Sequence, residues 1–320
     1  MQDNPEYYLK YRKNVETEMV ALGEFFHRNT PDSDAARKYA EGLMKARLGG
    51  NDQLASKLLP TTFPVGCKRL HNGYLEALVQ PNVTVFTDGG LERVTPTGFV
   101  DPQGEHHDVD IIICATGFNT SWVPRFPIIA HGVNLQDIYT DKAVGYVGVA
   151  APSMPNYLTI YGPYGPIGQG SAMPVIEAFV NYILQLIQHV QEEDVKSVTP
   201  RQQVIDQYAE HADLFNSRTV YNGDCRSWFK GNKKEGRIVL HPGTRNQYLL
   251  LMSKPRLQGY DFTYRSGNMW NWLGNGQTTR DYDGRDLTWY IGKIEGQDVQ
   301  QLYDTPKFLY KPETNNTAEN

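Results

Sequence analysis

The chain has 320 residues, 40% of them hydrophobic and 12% aromatic, enough for a sizeable core in one large domain or two smaller ones. Its net charge of −5 argues against a general binder of nucleic acid or of anionic membrane surfaces. No apolar run is long enough to cross a bilayer, and the polar N-terminal sequence is not a secretory signal. The widely spaced Cys67, Cys114 and Cys225 fit neither a disulfide framework nor a metal site, which favours a reducing, cytoplasmic location.

The N-terminal region predicts helices between Pro5 and Arg47. A first helix is indicated by apolar residues at helical spacing, and we expect this face to pack against the rest of the protein. These residues are Tyr8, Tyr11, Val15, Met19 and Leu22. A second helix is expected to begin at the cap-like sequence Thr-Pro-Asp-Ser-Asp and to end at Gly49–Gly50.

The next region predicts strands. Alternating valines predict a short strand in Pro-Asn-Val-Thr-Val-Phe, residues 81–86. A hairpin is expected around Asp101–Gly104, with a second arm that runs through the apolar residues Ile111–Cys114 as a buried strand. This strand ends at Ala115, Thr116 and Gly117, whose small side chains let a ligand or another backbone approach closely. A tight turn that merely closes a buried strand is an equally good interpretation of the pattern.

The C-terminal half predicts a strand, a loop and a strand over 146–162, followed by two helices. The first helix begins at a Ser171 cap, has Pro174 in its first turn and carries a wide apolar stripe. The second helix is expected over 199–215. A loop rich in glycine and proline precedes the first helix, and helix N-termini offer N–H groups and partial positive charge. Such loops are also commonly glycine-rich for turn reasons alone.

Several segments together carry a resemblance to known flavoproteins over nearly the whole chain. The sequence Asp108–Phe118 resembles the linker at which flavoproteins with two dinucleotide-binding domains return from the NADPH domain to the FAD domain. The sequence Gly66–Cys67–Lys68–Arg69, followed by Tyr-Leu-Glu-Ala-Leu and Pro-Asn-Val, is more specific and resembles a segment of the type I Baeyer–Villiger monooxygenases. The sequences Cys-Arg-Ser-Trp and Gly-Asn-Met-Trp-Asn-Trp are similar to the C-terminal region of fungal members that act on terpenoid or polyketide skeletons.

The resemblance implies an α/β fold that corresponds to the C-terminal half of such an enzyme. It would be a partial flavoprotein with Rossmann-like FAD and NADPH domains, an inserted helical lobe, and the first nucleotide-binding strands missing. The expected divisions follow the chain in order. They are a helical lobe over 1–60, part of the NADPH-binding domain over 61–112, part of the FAD-binding domain with a substrate-side extension over 113–310, and a disordered tail over 311–320.

The resemblance also implies a site. It assigns a catalytic role to Arg69, whose guanidinium would stabilise negative charge on oxygen, a task that the compact lysine ammonium fits less well. It assigns contact with NADPH to Lys68, with Arg69 also touching the cofactor. Without the resemblance, two adjacent basic residues in a loop are usually a solvated surface pair. The remaining candidates lie near FAD, where the helix start would face the pyrimidine edge of the flavin. They are Ala115, Thr116, Gly117, Gly168, Gly170 and Ser171.

The function that the resemblance implies is oxygen insertion next to a ketone, with FAD and NADPH as cofactors, O2 as co-substrate and no metal. An enzyme that oxidises nitrogen or sulfur is a near neighbour in the same class. The Gly-x-Gly-x-x-Gly fingerprints that grip the two nucleotides in the family do not occur in these residues. The alternative is therefore an inactive remnant, or one half of a split flavoprotein whose missing N-terminal half is a separate chain. Neither a nucleic acid nor a membrane is expected as a partner.

Overall fold

The computed structural model describes residues 4–20, 26–59, 73–87, 89–166, 170–223 and 226–291. These residues form a mixed α/β structure in which helices predominate, and none of its helices is long and apolar enough to cross a membrane. The helices are α1 Pro5–Val20, α2 Pro31–Arg47, α3 Asp52–Leu58, α4 Tyr74–Leu78, α5 Leu135–Asp141, α6 Ala172–Glu192, α7 Gln202–Asn216 and α8 Arg245–Leu251. The strands are β1 Arg93–Thr95, β2 Gly98–Val100, β3 His106–Asp108, β4 Ile129–Ala130, β5 Val133–Asn134, β6 Val195–Pro200 and β7 Tyr260–Tyr264.

The strands form three small sheets, and each described strand pair is antiparallel. β1, β2 and β3 form a three-stranded meander, β4 pairs with β5, and β6 pairs with β7. The β2–β3 hairpin turns at Asp101–Gly104, as the sequence predicts. Because β6 and β7 lie far apart in the chain, their pairing joins the end of α6 to the region after α8.

The helices begin at local signals that the sequence carries. The side chain of Thr30 accepts a hydrogen bond from the Ser33 N–H and caps α2, while Ser171 caps α6 by accepting from the Met173 N–H. Pro174 lies in the first turn of α6, where its missing N–H costs no helical hydrogen bond. The predicted helices over the N-terminal region and at α6 and α7 are therefore confirmed.

The main core lies between α6, α7, α8, the β6–β7 pair and the segment 144–164. Four tyrosines are almost fully buried in it: Tyr164, Tyr182, Tyr248 and Tyr260. The hydroxyls of Tyr182 and Tyr260 are 3.1 Å apart, and the Tyr248 hydroxyl donates to the Val147 carbonyl at 2.7 Å. These bonds matter because a buried hydroxyl without a partner would destabilise the fold.

Three of the predicted strands are wrong. Residues 81–86 form a turn and irregular chain rather than a strand. The second hairpin arm ends as a strand at Asp108, and the apolar run Ile111–Cys114 is exposed rather than buried. The last hydrogen bond between the two hairpin arms runs from the Val109 N–H to the Thr97 carbonyl, and no described strand pairs with the residues after Val109. Over 146–162 the chain forms only the isolated bridges Tyr146–Ala150 and Ala150–Leu158.

The expectation that α1 packs through its apolar face is also wrong. No residue of α1 is buried, and Tyr8, Tyr11, Val15 and Met19 are each more than 40% exposed. Leu22 lies outside the described residues. The spacing correctly predicts a helix, but helical spacing does not supply the neighbour against which the apolar face would pack.

Candidate functional site

Three of the predicted site residues, Lys68, Arg69 and Gly168, lie outside the described residues, so their roles stay predictions. The other candidates fall in two places. Gly170 and Ser171 stand at the N-terminus of α6, and Ala115, Thr116 and Gly117 follow the exposed apolar run. Within the described residues, no hydrogen bond or ion pair joins these two places.

The N-terminus of α6 holds a carboxylate from another helix. The Ser171 N–H donates to both carboxylate oxygens of Glu16 in α1, at 3.2 Å to Oε1 and 3.1 Å to Oε2. The Ser171 hydroxyl is already used to cap the Met173 N–H. The first turn of a helix carries partial positive charge, so a negative group is stabilised there. This end of α6 therefore receives a negatively charged acceptor, while the role of Ser171 near a flavin stays a prediction.

A buried arginine adds a full positive charge to the same place. Arg245, the first residue of α8, is 5% exposed, and its Nη2 lies 2.9 Å from Oε1 of Glu16. Gly170 has a φ of +68° and lies against both groups: a Cβ there would fall 2.5 Å from Nη1 of Arg245 and collide with the Glu16 carboxylate. Glycine suits position 170 because this φ lies in the left-handed region, and its lack of a side chain lets the two charged groups lie against the backbone where they are observed.

The Ala115–Gly117 turn is exposed and open. Gly117 has a φ of +84°, and a Cβ at this position would meet nothing within 4 Å. Just after this turn a hydrogen bond holds the backbone to a later segment, since the Asn232 side chain donates to the Phe118 carbonyl at 3.0 Å. The geometry leaves room for close approach to this backbone.

Sequence reasoning missed Glu16, Arg245 and a buried histidine. His241 is 7% exposed, and its Nδ1 lies 2.7 Å from the Tyr208 hydroxyl. Burial disfavours the imidazolium and lowers the pKa of His241 to about 4. The one signal for Arg245 was the Thr244 cap of α8, which accepts from the Gln247 N–H but says nothing about burial.

The β2–β3 hairpin gathers three groups that could ligate a metal: Asp101, Glu105 and His107. Asp101 already accepts from the Gln103 and Glu105 N–H groups and lies 2.9 Å from Nε2 of His107. The contact with His107 is the main cause that lowers the pKa of Asp101. These contacts stabilise the turn, and the expectation that the protein holds no metal stays a prediction.

No family model matches the chain, but its sequence is similar to those of several known proteins. The chain is 35% identical over 289 residues to the FAD-binding monooxygenase stcW of Emericella nidulans, covering 88% of this chain and 47% of that protein. It is 33% identical to the FAD-binding monooxygenase tazF of Aspergillus terreus, covering 90% and 52%. It is 29% identical over 217 residues to a Baeyer–Villiger monooxygenase of Pseudomonas aeruginosa, covering 66% and 41%.

A solved structure shares the fold. Cyclohexanone monooxygenase from Rhodococcus sp. Phi1 bound to NADP⁺ superposes with a TM-score of 0.65 at 21% identity, covering 82% of this chain and 52% of that one. The chain spans about half the length of the curated relatives it matches. The resemblance predicted from the sequence is thereby confirmed, and the chain belongs to the family of FAD-binding monooxygenases.

Proposed function

We propose that the chain is the C-terminal part of a Baeyer–Villiger monooxygenase that uses FAD and NADPH. In this reaction a ketone, O2, NADPH and a proton give an ester or lactone, water and NADP⁺. One oxygen atom enters between the carbonyl carbon and its neighbour. The C-terminal segments that resemble fungal members favour a terpenoid or polyketide ketone as the substrate, and we propose the cytoplasm as the location.

The observation that carries the proposal is the presence of two family segments in one chain whose relatives are named as FAD-binding and Baeyer–Villiger monooxygenases. These segments are the one around Lys68–Arg69 and the one over Asp108–Phe118. The second is shared by several flavin monooxygenase families, whereas the first is more specific. Their joint presence favours ketone oxygenation over nitrogen or sulfur oxidation.

Two features of the described residues support the proposal of a flavin site. The N-terminus of α6 offers the Ser171 N–H and the partial positive charge of the helix, and it already holds a carboxylate, which has the acceptor character of a flavin pyrimidine edge. The Ala115–Gly117 backbone is open to close approach. When bound, FAD reduced by NADPH supplies the electrons that activate O2.

Three residues of the chain would have separate roles in binding the cofactors and stabilising charge. Ser171 would orient the flavin and stabilise negative charge at its pyrimidine edge. Lys68 would bind NADPH, and Arg69 would contact it and place a permanent positive charge beside the oxygen on which negative charge develops. Preorganised charges of this kind contribute on the order of 10²–10³ to catalytic rate.

The exposed apolar run favours a second candidate, in which the chain is one half of a split flavoprotein. Ile111 and Ile113 are 78% and 86% exposed, and no backbone N–H of Ile111–Cys114 donates a hydrogen bond within the described part of the chain. Continuous apolar runs are typical of strands that are buried on both faces of a parallel sheet. The partner we propose is a polypeptide equivalent to the N-terminal half of the relatives, which would place strands beside this run.

The test begins with the purified chain, alone and mixed with the part of the Emericella nidulans relative that it does not match. Bound FAD is measured by absorbance, and flavin reduction by bleaching with NADPH, which requires no substrate. A panel of cyclic ketones and one thioether then separates ester formation from sulfur oxidation by product analysis. A preparation that is colourless and consumes no NADPH with or without the added half would leave only the inactive remnant.

Arg69→Ala tests the assigned charge directly. We expect it to abolish ester formation while flavin bleaching by NADPH stays measurable, and Arg69→Lys should recover little because lysine lacks the planar guanidinium. Arg93→Ala, at an exposed position of β1, is the matched control and should leave both readouts unchanged. Ester formation at the normal rate in Arg69→Ala would refute the assignment.

A further inference from the structure

Glu16 is the point at which α1 is attached to the remainder of the described chain. Each hydrogen bond or ion pair described between α1 and another element involves this one carboxylate, which meets Ser171 and Arg245. The other polar contacts of α1 are local, such as the Thr17 hydroxyl to the Lys13 carbonyl. The helix buries no residue of its own, so apolar packing contributes little to its position.

The carboxylate of Glu16 lies in a partly buried pocket of polar groups and is not simply exposed on the surface. Arg245 is 95% removed from solvent, and the side chain of Glu16 is 31% exposed, so the pair is shielded on the arginine side. Gly170 lies against both groups, since a Cβ there would require the ends of the two side chains to shift. A buried guanidinium, a helix N-terminus and a glycine cradle converge on one pair of acceptor oxygens.

The same Ser171 N–H is the group that the proposed function gives to the flavin. The Ser171 N–H donates to both oxygens of Glu16 at 3.1–3.2 Å, and it has no room for an acceptor from another group while this carboxylate is in place. The seated α1 and a flavin at the N-terminus of α6 therefore exclude each other. The two states differ by the position of one weakly packed helix.

We propose that Glu16 is an internal blocking ligand of the flavin site and that α1 must leave the N-terminus of α6 before FAD binds. This inference rests on the proposed function, because it concerns the site assigned there to the flavin. Arg245 has a different role in each state. It pairs with Glu16 in the blocked state, and in the open state its positive charge would stabilise a negatively charged acceptor at the N-terminus of α6.

The blocked state lowers the apparent affinity for FAD. When only a fraction of molecules has the site open, the apparent dissociation constant rises by the inverse of that fraction. Glu16→Gln removes the charge that Arg245 and α6 hold, while it keeps the size of the side chain and so the fold. We expect this variant to bind FAD about tenfold more tightly than the parent chain, as for a parent whose site is open in about one molecule in ten.

The experiment compares the parent chain, Glu16→Gln and Glu18→Gln by titration with FAD, followed through quenching of flavin fluorescence. Glu18 lies two residues away on the same helix and is exposed, so its variant makes the same charge change without touching the site. A second readout is tryptic cleavage after Lys10, Arg12 and Lys13, all exposed on α1. We expect FAD to accelerate this cleavage in the parent and in Glu18→Gln, and to change it little in Glu16→Gln.

Each outcome decides something different. Tighter binding by Glu16→Gln, together with FAD-dependent cleavage of the parent, supports the blocking role. Equal FAD affinity in all three forms, with cleavage of α1 unaffected by FAD, overturns the blocking role and leaves the flavin site intact. No FAD binding by any of the three forms, either alone or mixed with the part of the Emericella nidulans relative that the chain does not match, overturns the flavin site proposed for this chain, and the competition with it.

Discussion

The helix α6 and the run Ile111–Cys114 are both rich in large apolar side chains, and they lie in opposite environments. In α6, Val175, Phe179 and Leu186 are at most 1% exposed. In the run, Ile111 and Ile113 are more than three-quarters exposed. The difference lies in the neighbours: α6 packs against α7, α8 and the segment 144–164, whereas the run extends past the last hydrogen bond of its hairpin.

The comparison teaches that an apolar sequence specifies a requirement for burial without specifying what satisfies it. Even α6 illustrates this, because the outer part of its stripe, Val180, Leu184 and Ile187, is 39–56% exposed. A helix satisfies its own backbone hydrogen bonds, so it forms with one face packed. An isolated extended segment satisfies neither its backbone nor its side chains until another strand lies beside it.

The largest effect that would sharpen this comparison is expected from Phe179→Ala. Phe179 is fully buried, with its ring centroid 5.3 Å from that of Tyr161 and 5.8 Å from that of Tyr248. Truncation leaves a cavity in the main core, and we expect the free energy of unfolding to fall by about 3–5 kcal/mol. Urea denaturation followed by circular dichroism measures this change in the free energy of unfolding.

Leu184→Ala, on the same helix, is the matched control for this change. Leu184 is 56% exposed, so its truncation should change the free energy of unfolding by less than about 1 kcal/mol. Similar losses at the two positions would mean that the outer face of α6 is also packed in solution, and the contrast with the exposed run would then weaken.

The next effect is a loss of stability in acid that originates from His241. Its pKa is about 4 in the folded chain, against an ordinary value of 6.5. Above pH 6.5 the imidazole is neutral in both states. As the pH falls from 6.5 to 4, the unfolded chain binds a proton that the folded chain rejects, so the free energy of unfolding decreases, by up to about 3 kcal/mol.

Denaturation curves at several pH values between 4 and 7 test this slope. His241→Gln should flatten it, because the group that titrates differently in the two states is gone. His131→Gln, at an exposed position, should keep the slope of the parent. A parent and a His241→Gln variant with the same pH dependence would show that the buried imidazole is not its source.

Much of the helical fold could be predicted from the sequence because the signals are local. The caps at Thr30 and Ser171 and the spacing over α6 specify where helices begin and which face is apolar. The strands were less predictable, since pairing depends on residues far away in the chain. Alternation at 81–86 and the apolar run at Ile111–Cys114 both suit a strand, yet neither pairs with a strand in the described part of the chain.

The candidate site was predicted only in part, for the same reason. The cap at Ser171 could be predicted because a cap and a helix start are adjacent in sequence, and its role at a flavin stays a prediction. Glu16 and Arg245 were missed because they lie 155 residues before and 74 residues after Ser171, and nothing local marks either as a member of a site. Charge at the end of a helix can be anticipated from sequence, but the residue that supplies it cannot.

A smaller effect is expected at α2, whose stability depends on local signals more than on packing. This helix buries only Ser33 and Met44, and its cap is the Thr30 side chain at 3.2 Å from the Ser33 nitrogen. Thr30→Ala should lower the free energy of unfolding by about 1 kcal/mol, and Thr30→Gly should lower it by only about a few tenths of a kcal/mol. Equal losses in thermal denaturation would indicate that a contact other than the cap is being removed.

The smallest effect on stability, and the one that bears most directly on the comparison, is expected from the double variant Ile111→Thr, Ile113→Thr. Because both side chains are exposed, the free energy of unfolding should change by less than about 0.5 kcal/mol. Self-association of the chain in sedimentation velocity should decrease, since an unpaired apolar strand is a template for pairing.

Val94→Thr gives the control, because Val94 is 61% exposed but lies in the paired strand β1. It makes the same kind of apolar-to-polar change at one exposed position of a strand that pairs with β2, so it should leave self-association unchanged. A loss of stability in the double variant as large as that of Phe179→Ala would mean that the run is packed in the folded chain. If instead the double variant keeps its stability and no longer binds the complementary half of the relative, the run is an interface and its apolar character serves assembly.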